Sequence, residues 1–392
     1  MSTSSTPTRR DRILGALLGV HAGDSLGATV EFASWEDIRT DYPQGVRDIV
    51  GGGPFNWPVG HATDDTDLTR AVLLAYRDVA KHSQSNSPST SSTSDSSKQG
   101  EEATPDITLL AAVHMLSWYT GHNWPDRSPN TRPIDVGGAT ATGLSRFQRT
   151  GDPRSSGAGQ GSAGNGSLMR CIPTALFQTD RAKVIRESVE ISGVTHDDLC
   201  CVVACAVYNV MVGVLVQEEG GTVEGAWRAG KGAVEEAVAF IIGGGVGRKG
   251  EGKGPGPVAR QAMVESAGRK VDEALDAGRY MVRVQDLAEK GPKRAANVTK
   301  AIPFGATGYV LESLVLAVAA LFDPRPLEEV LVDVVRFGGD TDTNGAIAGG
   351  MLGARDGAEA IPLRWREVLQ FGGEFTEVAE YLLSAQEKER GD

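Results

Sequence analysis

Thr63-Asp64-Asp65-Thr66-Asp67-Leu68-Thr69-Arg70-Ala71-Val72-Leu73-Leu74-Ala75-Tyr76-Arg77-Asp78-Val79 is the stretch from which the fold is read. Leu68, Ala71, Val72, Ala75 and Val79 recur at the i, i+3, i+4, i+7 and i+11 positions of one helical face. Leu311, Leu314, Val315, Val318 and Phe322 repeat the pattern, and Leu327, Val330, Leu331 and Val334 do so again. Strict alternation of apolar and polar residues is hard to find. The run from Asn344 to Ala354 is helix-like but built of small residues, which suits close packing against another backbone. The expected fold is all-α, a compact single domain of many helices.

Two apolar stretches admit other readings. Arg9, Arg10 and Arg12 precede Ile13–Val20 in the manner of a secretory signal, but Asp11 interrupts the basic stretch and the run is only eight residues. Ile13, Leu14, Leu17 and Leu18 fit an amphipathic helix better. Leu199–Val216 has eighteen residues without a charge, at the lower limit for a membrane span. Its acidic flanks and internal Asn209 favour a buried core helix, and no membrane association is expected. Residues 1–10 read as disordered, and the domain is expected over 11–388. It carries mobile insertions at about 83–104, where nine of the residues Ser83–Ser97 are serine, and at 243–257, with eight glycines. Two phosphate-loop patterns in the second insertion lack their context: no βαβ unit surrounds Gly245–Gly250, and Gly254 stands where a P-loop needs Ser or Thr.

The chain has 392 residues, 40% of them hydrophobic, with a net charge of −12. That acidity argues against direct nucleic-acid binding, which needs a basic face. Cys171, Cys200, Cys201 and Cys205 offer neither C-x-x-C spacing nor a neighbouring His cluster. They read as reduced core thiols of an intracellular protein, cytoplasmic or nuclear.

Three acidic clusters stand apart from ordinary surface charge: Gly23-Asp24-Ser25-Leu26-Gly27-Ala28-Thr29-Val30-Glu31, Thr63–Asp67, and Gly338-Gly339-Asp340-Thr341-Asp342-Thr343-Asn344. Thr and Asp at a helix start serve as N-caps. One cap needs only one side chain, however, and paired Asp64 and Asp65, or Asp340 and Asp342, exceed that need. Carboxylates this close repel unless protonated or bridged by a cation. An all-oxygen donor set points to magnesium or a similar hard ion rather than zinc.

In this order the clusters resemble the ADP-ribosylglycohydrolase family. The resemblance rests on G-x-x-x-G-D-S-L-G-x-x-x-E from Gly19 to Glu31, T-D-D-T at Thr63–Thr66 and S-A-G-N-G-S-L-M-R from Ser162 to Arg170. T-H-D-D at Thr195–Asp198, G-Y-V at Gly308–Val310 and G-G-D-T-D-T at Gly338–Thr343 complete it. It implies an all-α fold with a binuclear magnesium, or manganese, centre. Thr63, Asp64, Asp65, Asp340, Asp342 and Thr343 match metal-ligand positions, and Glu31 an acidic residue implicated in gating or catalysis. Asp24 either joins the site or only holds its loop. Asp67 carries no family role and reads as a solvated helix start. Asp135 could orient the attacked bond, and Gly137, Gly138, Asn165, Gly166, Ser167 and His196 match ligand-binding positions. Gly138 stands where many relatives carry Asn. Met169 reads as core, and Arg170 as either a buried structural pair or a phosphate contact. The implied reaction is metal-dependent hydrolysis at C1″ of the distal ribose of an ADP-ribose conjugate, with Asp340 or Glu31 as general base. The substrate is an ADP-ribosylated protein, or a small molecule such as ADP-ribose 1″-phosphate or O-acetyl-ADP-ribose. A non-catalytic, crystallin-like relative is the alternative of another class.

Overall fold

Four glycines at helical spacing decide the architecture. The computed structural model describes residues 6–85, 105–217, 221–245, 256–291, 300–303 and 305–391. Helix α1 (Arg9–Gly27) carries Gly15, Gly19, Gly23 and Gly27 on one face. They meet Gly353, Gly349, Gly345 and Thr341 of the helix Thr341–Asp356. The order is reversed along the partner, so the two helices run antiparallel. A Cβ added at Gly19, Gly23, Gly345, Gly349 or Gly353 would lie closer than 3.0 Å to a carbonyl of the facing helix. Backbone therefore packs on backbone. The antiparallel sense sets the C-terminal end of α1, with Asp24 and Glu31, against the N-terminal end of its partner, with Asp340 and Asp342.

The remaining helices build around this pair: α2 (Trp35–Asp41), α3 (Asp64–Ser85), α4 (Ile107–Thr120), α5 (Gly138–Thr150), α6 (Ile172–Phe177), α7 (Arg181–Gly193) and α8 (Leu199–Leu215). There follow α9 (Val223–Phe240), α10 (Pro257–Tyr280), α11 (Val284–Lys290), α12 (Val310–Leu321) and α13 (Leu327–Arg336). The glycine-bearing partner of α1 is α14, and α15 (Leu363–Arg366) and α16 (Gly372–Gly391) close the chain. Among the described residues there are no strands, only isolated bridges between Gly52 and Trp57 and between Gly164 and Tyr309. The all-α expectation holds.

The periodic faces read from sequence are core. Leu68, Ala71, Val72 and Ala75 of α3 are buried, as are Leu314, Val315 and Val318 of α12 and Leu327, Val330, Leu331 and Val334 of α13. Helix α8 is buried nearly throughout; Asp198 caps it, and Asn209 donates its amide N–H to Ser188 at 2.8 Å. Among the described residues no helix is long and apolar enough to cross a membrane. The four cysteines are free and buried.

Two boundaries differ from expectation. Helix α1 begins at Arg9, inside the segment 1–10 read as disordered, because the Thr8 hydroxyl accepts from Asp11 N at 3.2 Å and supplies an N-cap. Helix α3 likewise runs to Ser85, into the Ser-rich stretch. Residues 86–104 and 246–255, and with them most of both insertions and the phosphate-loop patterns, lie outside the described residues.

Candidate active site

The start of α3 is capped from another helix. Asp24 Oδ2 accepts from the backbone N–H of Thr63 (3.1 Å) and Thr66 (3.2 Å) and from the Thr66 hydroxyl. Asp24 thus takes the Thr66 N–H and Thr63 Oγ1 takes that of Asp65 (3.3 Å), so the Asp64 and Asp65 carboxylates are not the caps of α3. Capping alone no longer accounts for them. Asp65 Oδ2 accepts from Thr63 Oγ1 (3.1 Å) and Thr343 Oγ1 (3.3 Å), which joins the two ends of the polypeptide directly. Its Oδ1 is buried with no hydrogen-bond partner among the described residues.

The segment after α1 is stapled to the loop before α14. Phe32 N donates to Gly339 O (2.8 Å) and Gly339 N to Ala33 O (3.1 Å). These bonds hold Phe32 at φ +62°, a left-handed conformation unusual for an aromatic residue, with its ring largely exposed at the cavity. Glu31, just before it, turns inward. Carboxylate oxygens of Glu31, Asp135 and Asp342 all lie within 4.8 Å of one another, and Glu31 Oε2 is buried without a hydrogen-bond partner among the described residues.

Around them lies a cavity of about 490 Å³, lined on the acidic side by Glu31, Asp64, Asp135, Asp340, Asp342 and Thr343. The other wall comprises Gly137, Gly138 and Thr140 at the start of α5, Gly164–Gly166, Met169, His196, and the Thr307–Gly308 turn. The loop carrying Asn165 is held to that turn by Asn165 N→Gly308 O (2.9 Å) and Val310 N→Ala163 O (3.1 Å).

Burial dominates the electrostatics. It pushes the Glu31 carboxyl up to about 8, with Asp135, Asp340 and Asp24 adding repulsion. Asp64, Asp65 and Asp342 are driven well above the carboxylate range by burial first and by neighbouring acids second. Asp135 rises to about 6 through burial and the charge of Asp340. Asp24 also reaches about 6 through burial, partly offset by its hydrogen bonds from Thr66 and Thr63. Glu31, Asp64, Asp65 and Asp342 are thereby biased toward the protonated form at neutral pH unless a cation replaces the proton. The all-oxygen donor set, the clustered Glu31, Asp135 and Asp342, and the orphaned oxygens of Glu31 and Asp65 fit a hard divalent ion.

On the opposite wall, Arg170 is buried and donates to Gly166 O and to Thr195 Oγ1 (2.6 Å), which resolves its role as structural. The Thr195 hydroxyl in turn meets His196 Nδ1 at 2.8 Å. Burial, reinforced by Arg170, lowers His196 to about 3, so the ring is neutral. With Thr195 accepting from Arg170 and donating to Nδ1, the remaining proton sits on Nε2, beside Gly164 and Gly166.

One sequence expectation changes, and the placement of four other residues is sharpened. Asp67 is not a solvated helix start: its carboxylate accepts from Trp118 Nε1 (2.8 Å) and Trp124 Nε1 (3.3 Å). Burial raises it to about 7 against those two bonds. The Ser167 side chain turns away from the cavity to accept from Ser192 Oγ (2.9 Å) and Cys205 Sγ (3.5 Å), leaving only its main chain for a ligand. Asn165 reaches the cavity, but its amide nitrogen is committed to Asp340 Oδ2 (2.7 Å) and Ser313 Oγ (3.0 Å), so its carbonyl oxygen is the group left to meet a ligand. Thr63 and Asp65 are buried and do not line the cavity themselves, but Asp65 is tied through its Oδ2 to Thr343, which does.

An all-α shell whose first and last long motifs converge on an acidic cavity defines a known class. The profile of the ADP-ribosylglycohydrolase family matches residues 5–392, and the chain belongs to that family of hydrolases. It is 26% identical over 361 residues to the ADP-ribosyl-[dinitrogen reductase] glycohydrolase of Rhodospirillum rubrum, covering 92% of this chain and 90% of that protein. It is 25% identical over 378 residues to the ADP-ribosylarginine hydrolase Tri1 of Pseudomonas putida (strain GB-1), covering 95% and 78%. A solved ADP-ribosylglycohydrolase-related protein complex shares the fold, with a TM-score of 0.63 and 24% identity over 96% of this chain and 99% of that one.

Proposed function

We propose that this protein hydrolyses the bond at C1″ of the distal ribose in an ADP-ribose conjugate, using two magnesium or manganese ions held by its acidic cluster. The convergence of the Glu31, Asp135 and Asp342 carboxylates, with the buried Asp65 Oδ1 unpaired among the described residues, carries this reading. Asp64, Asp65, Asp340, Asp342, Thr343 and, behind them, Thr63 are the residues that would hold the ions. When bound, such ions supply fixed positive charge that orients ribose hydroxyls and lowers the pKa of water.

The chain's own groups do the rest. Glu31 is favoured over Asp340 as the acceptor of the attacking water's proton, because Asp340 Oδ2 is already bonded to Asn165 whereas Glu31 Oε2 has no partner among the described residues. The Asp135 carboxylate stabilises the positive charge that develops on the ribose in an oxocarbenium-like transition state. The N-terminus of α5 at Gly137 and Gly138 has no side-chain cap and borders the cavity, which suits a diphosphate. His196 Nε2–H and the Gly166 main chain offer donors to the nucleotide part.

The names of the relatives make an arginine-linked conjugate the first substrate to test. In a panel with manganese, ADP-ribosylarginine, ADP-ribosylserine, poly(ADP-ribose), O-acetyl-ADP-ribose and ADP-ribose 1″-phosphate are compared by release of ADP-ribose. Turnover of at least one, abolished by chelator, is expected. Binding of ADP-ribose with no turnover of any would identify a non-catalytic relative.

Cation binding should also depend on pH with a definite sign. Between the ordinary carboxyl value near 4.5 and the raised value of about 8, folded Glu31 binds more protons than the unfolded chain. Metal-free stability therefore falls as pH rises through that window. A divalent ion must displace those protons, so its affinity rises with pH. The increase in melting temperature on adding manganese is expected to be larger at pH 8 than at pH 6. An equal or smaller increase at pH 8 would contradict the site.

A further inference from the structure

Asp67 sits on the first turn of α3, beside the proposed metal-binding residues, but faces away from them. Its two carboxylate oxygens are divided between two indoles: Trp118, on the last turns of α4, and Trp124, on the segment that follows. Both tryptophans are buried. That segment, residues 121–137, runs from the end of α4 to the start of α5 and delivers Asp135 to the cavity. It is not regular structure: Asn123, Asp126 and Asn130 all take left-handed φ values between +57° and +64°.

What fixes this path is side-chain bonding. Arg127 donates to the carbonyls of Trp118 and Thr131. Arg132 donates to Tyr119 O (3.3 Å) and lies 3.7 Å above the Tyr119 ring. Both tie the segment to α4. The tie to α3, the helix that carries Asp64 and Asp65, runs through Trp124: Asp67 takes its N–H, and Arg70 of the same helix lies 4.4 Å from its ring centroid. Arg70 is itself clamped by Glu374 through bonds of 2.7 and 2.8 Å. Asp135 has no such anchor. Among the described residues no hydrogen bond holds its carboxylate, and its surroundings are burial and the repulsive charge of Asp340. Its place opposite Glu31 and Asp342 is set by its backbone.

We propose that Asp67 is a positioning residue: a forked acceptor that locks Trp118 and Trp124 and so fixes residues 121–137, and with them Asp135, against the helix bearing Asp64 and Asp65. The geometric inference stands on the hydrogen bonds; its catalytic consequence rests on the function proposed above. An acidic side chain is required, because two N–H donors approach its two oxygens. An amide offers one oxygen, and its NH₂ would face the second indole.

Hydrogen–deuterium exchange on the full chain, comparing wild type with Asp67→Asn and with Trp124→Phe, tests the lock without reference to activity. Both variants are expected to exchange faster across 121–137, including the peptide containing Asp135, with α10 unchanged. Trp124→Phe removes the donor and leaves the acid, so it answers even where Asp67→Asn folds poorly. Unchanged exchange across 121–137 in Trp124→Phe would overturn the lock. With any substrate the wild type turns over, Asp67→Asn is expected to lower kcat by about tenfold with KM little changed. Combined with Asp135→Ala, it should add no further loss. Losses that multiply in the double variant would mean that Asp67 does not act through Asp135. A wild type inactive on every substrate would count against the proposed function, while the exchange result would still decide the lock.

Discussion

Asp342→Ala is expected to leave a folded protein whose turnover is reduced by at least about a thousandfold, the scale of losing a principal electrostatic element of an active site. Asp342 is buried and stands within 4.8 Å of both Glu31 and Asp135. In the metal-free protein its carboxyl is driven upward by burial and by Asp65, so removing it relieves repulsion. Against that, its Oδ1 accepts from Thr343 N at 2.8 Å, and losing this N-terminal bond costs about 1 kcal/mol. The two effects oppose, and the metal-free melting temperature should move little. The stabilisation by manganese should disappear with the activity. Normal turnover in this variant would contradict the role given to the acidic cluster.

Gly349→Ala is expected to destabilise the protein by about 3 kcal/mol or more, or to prevent folding. In an ordinary helix interior the same change stabilises by up to about 1 kcal/mol, since alanine is the better helix former. Here the new methyl would meet the Gly19 carbonyl of α1, and main chain cannot swing aside as a side chain can. The helices must separate, and Glu31, just beyond the end of α1, and Asp342, on the first turn of α14, lie at their adjoining ends. Residual folded protein should therefore also bind manganese more weakly. Gly373→Ala, in the first turn of α16 with nothing within 4 Å of the added carbon, is the control and should be neutral or slightly stabilising. Chemical denaturation of the three proteins measures the difference.

The fold class was legible because helical periodicity is local: the spacing of Leu68, Ala71, Val72 and Ala75 is complete within one helix. The acidic motifs were legible because two adjacent carboxylates are more than a cap requires. The small residues of α14 announced a close partner, and the matching interval of Gly15, Gly19, Gly23 and Gly27 on α1 was the unused signal that identified it. The functions of Asp24 and Asp67 were not legible. Each depends on groups 39 to 57 residues away in the chain, and no local pattern marks Trp118 and Trp124 as donors to an acid on α3. The direction of the Ser167 side chain was not legible either: within a glycine-containing loop, sequence does not say which side chains face the cavity and which face Ser192.

Anomalous diffraction from crystals grown with manganese tests the central claim most directly. Two anomalous peaks are expected in the cavity, within coordination distance of Asp64, Asp65 and Asp342, and absent from crystals of Asp342→Ala. A cavity without manganese, in a protein that still cleaves an ADP-ribose conjugate after exhaustive chelation, would contradict the account.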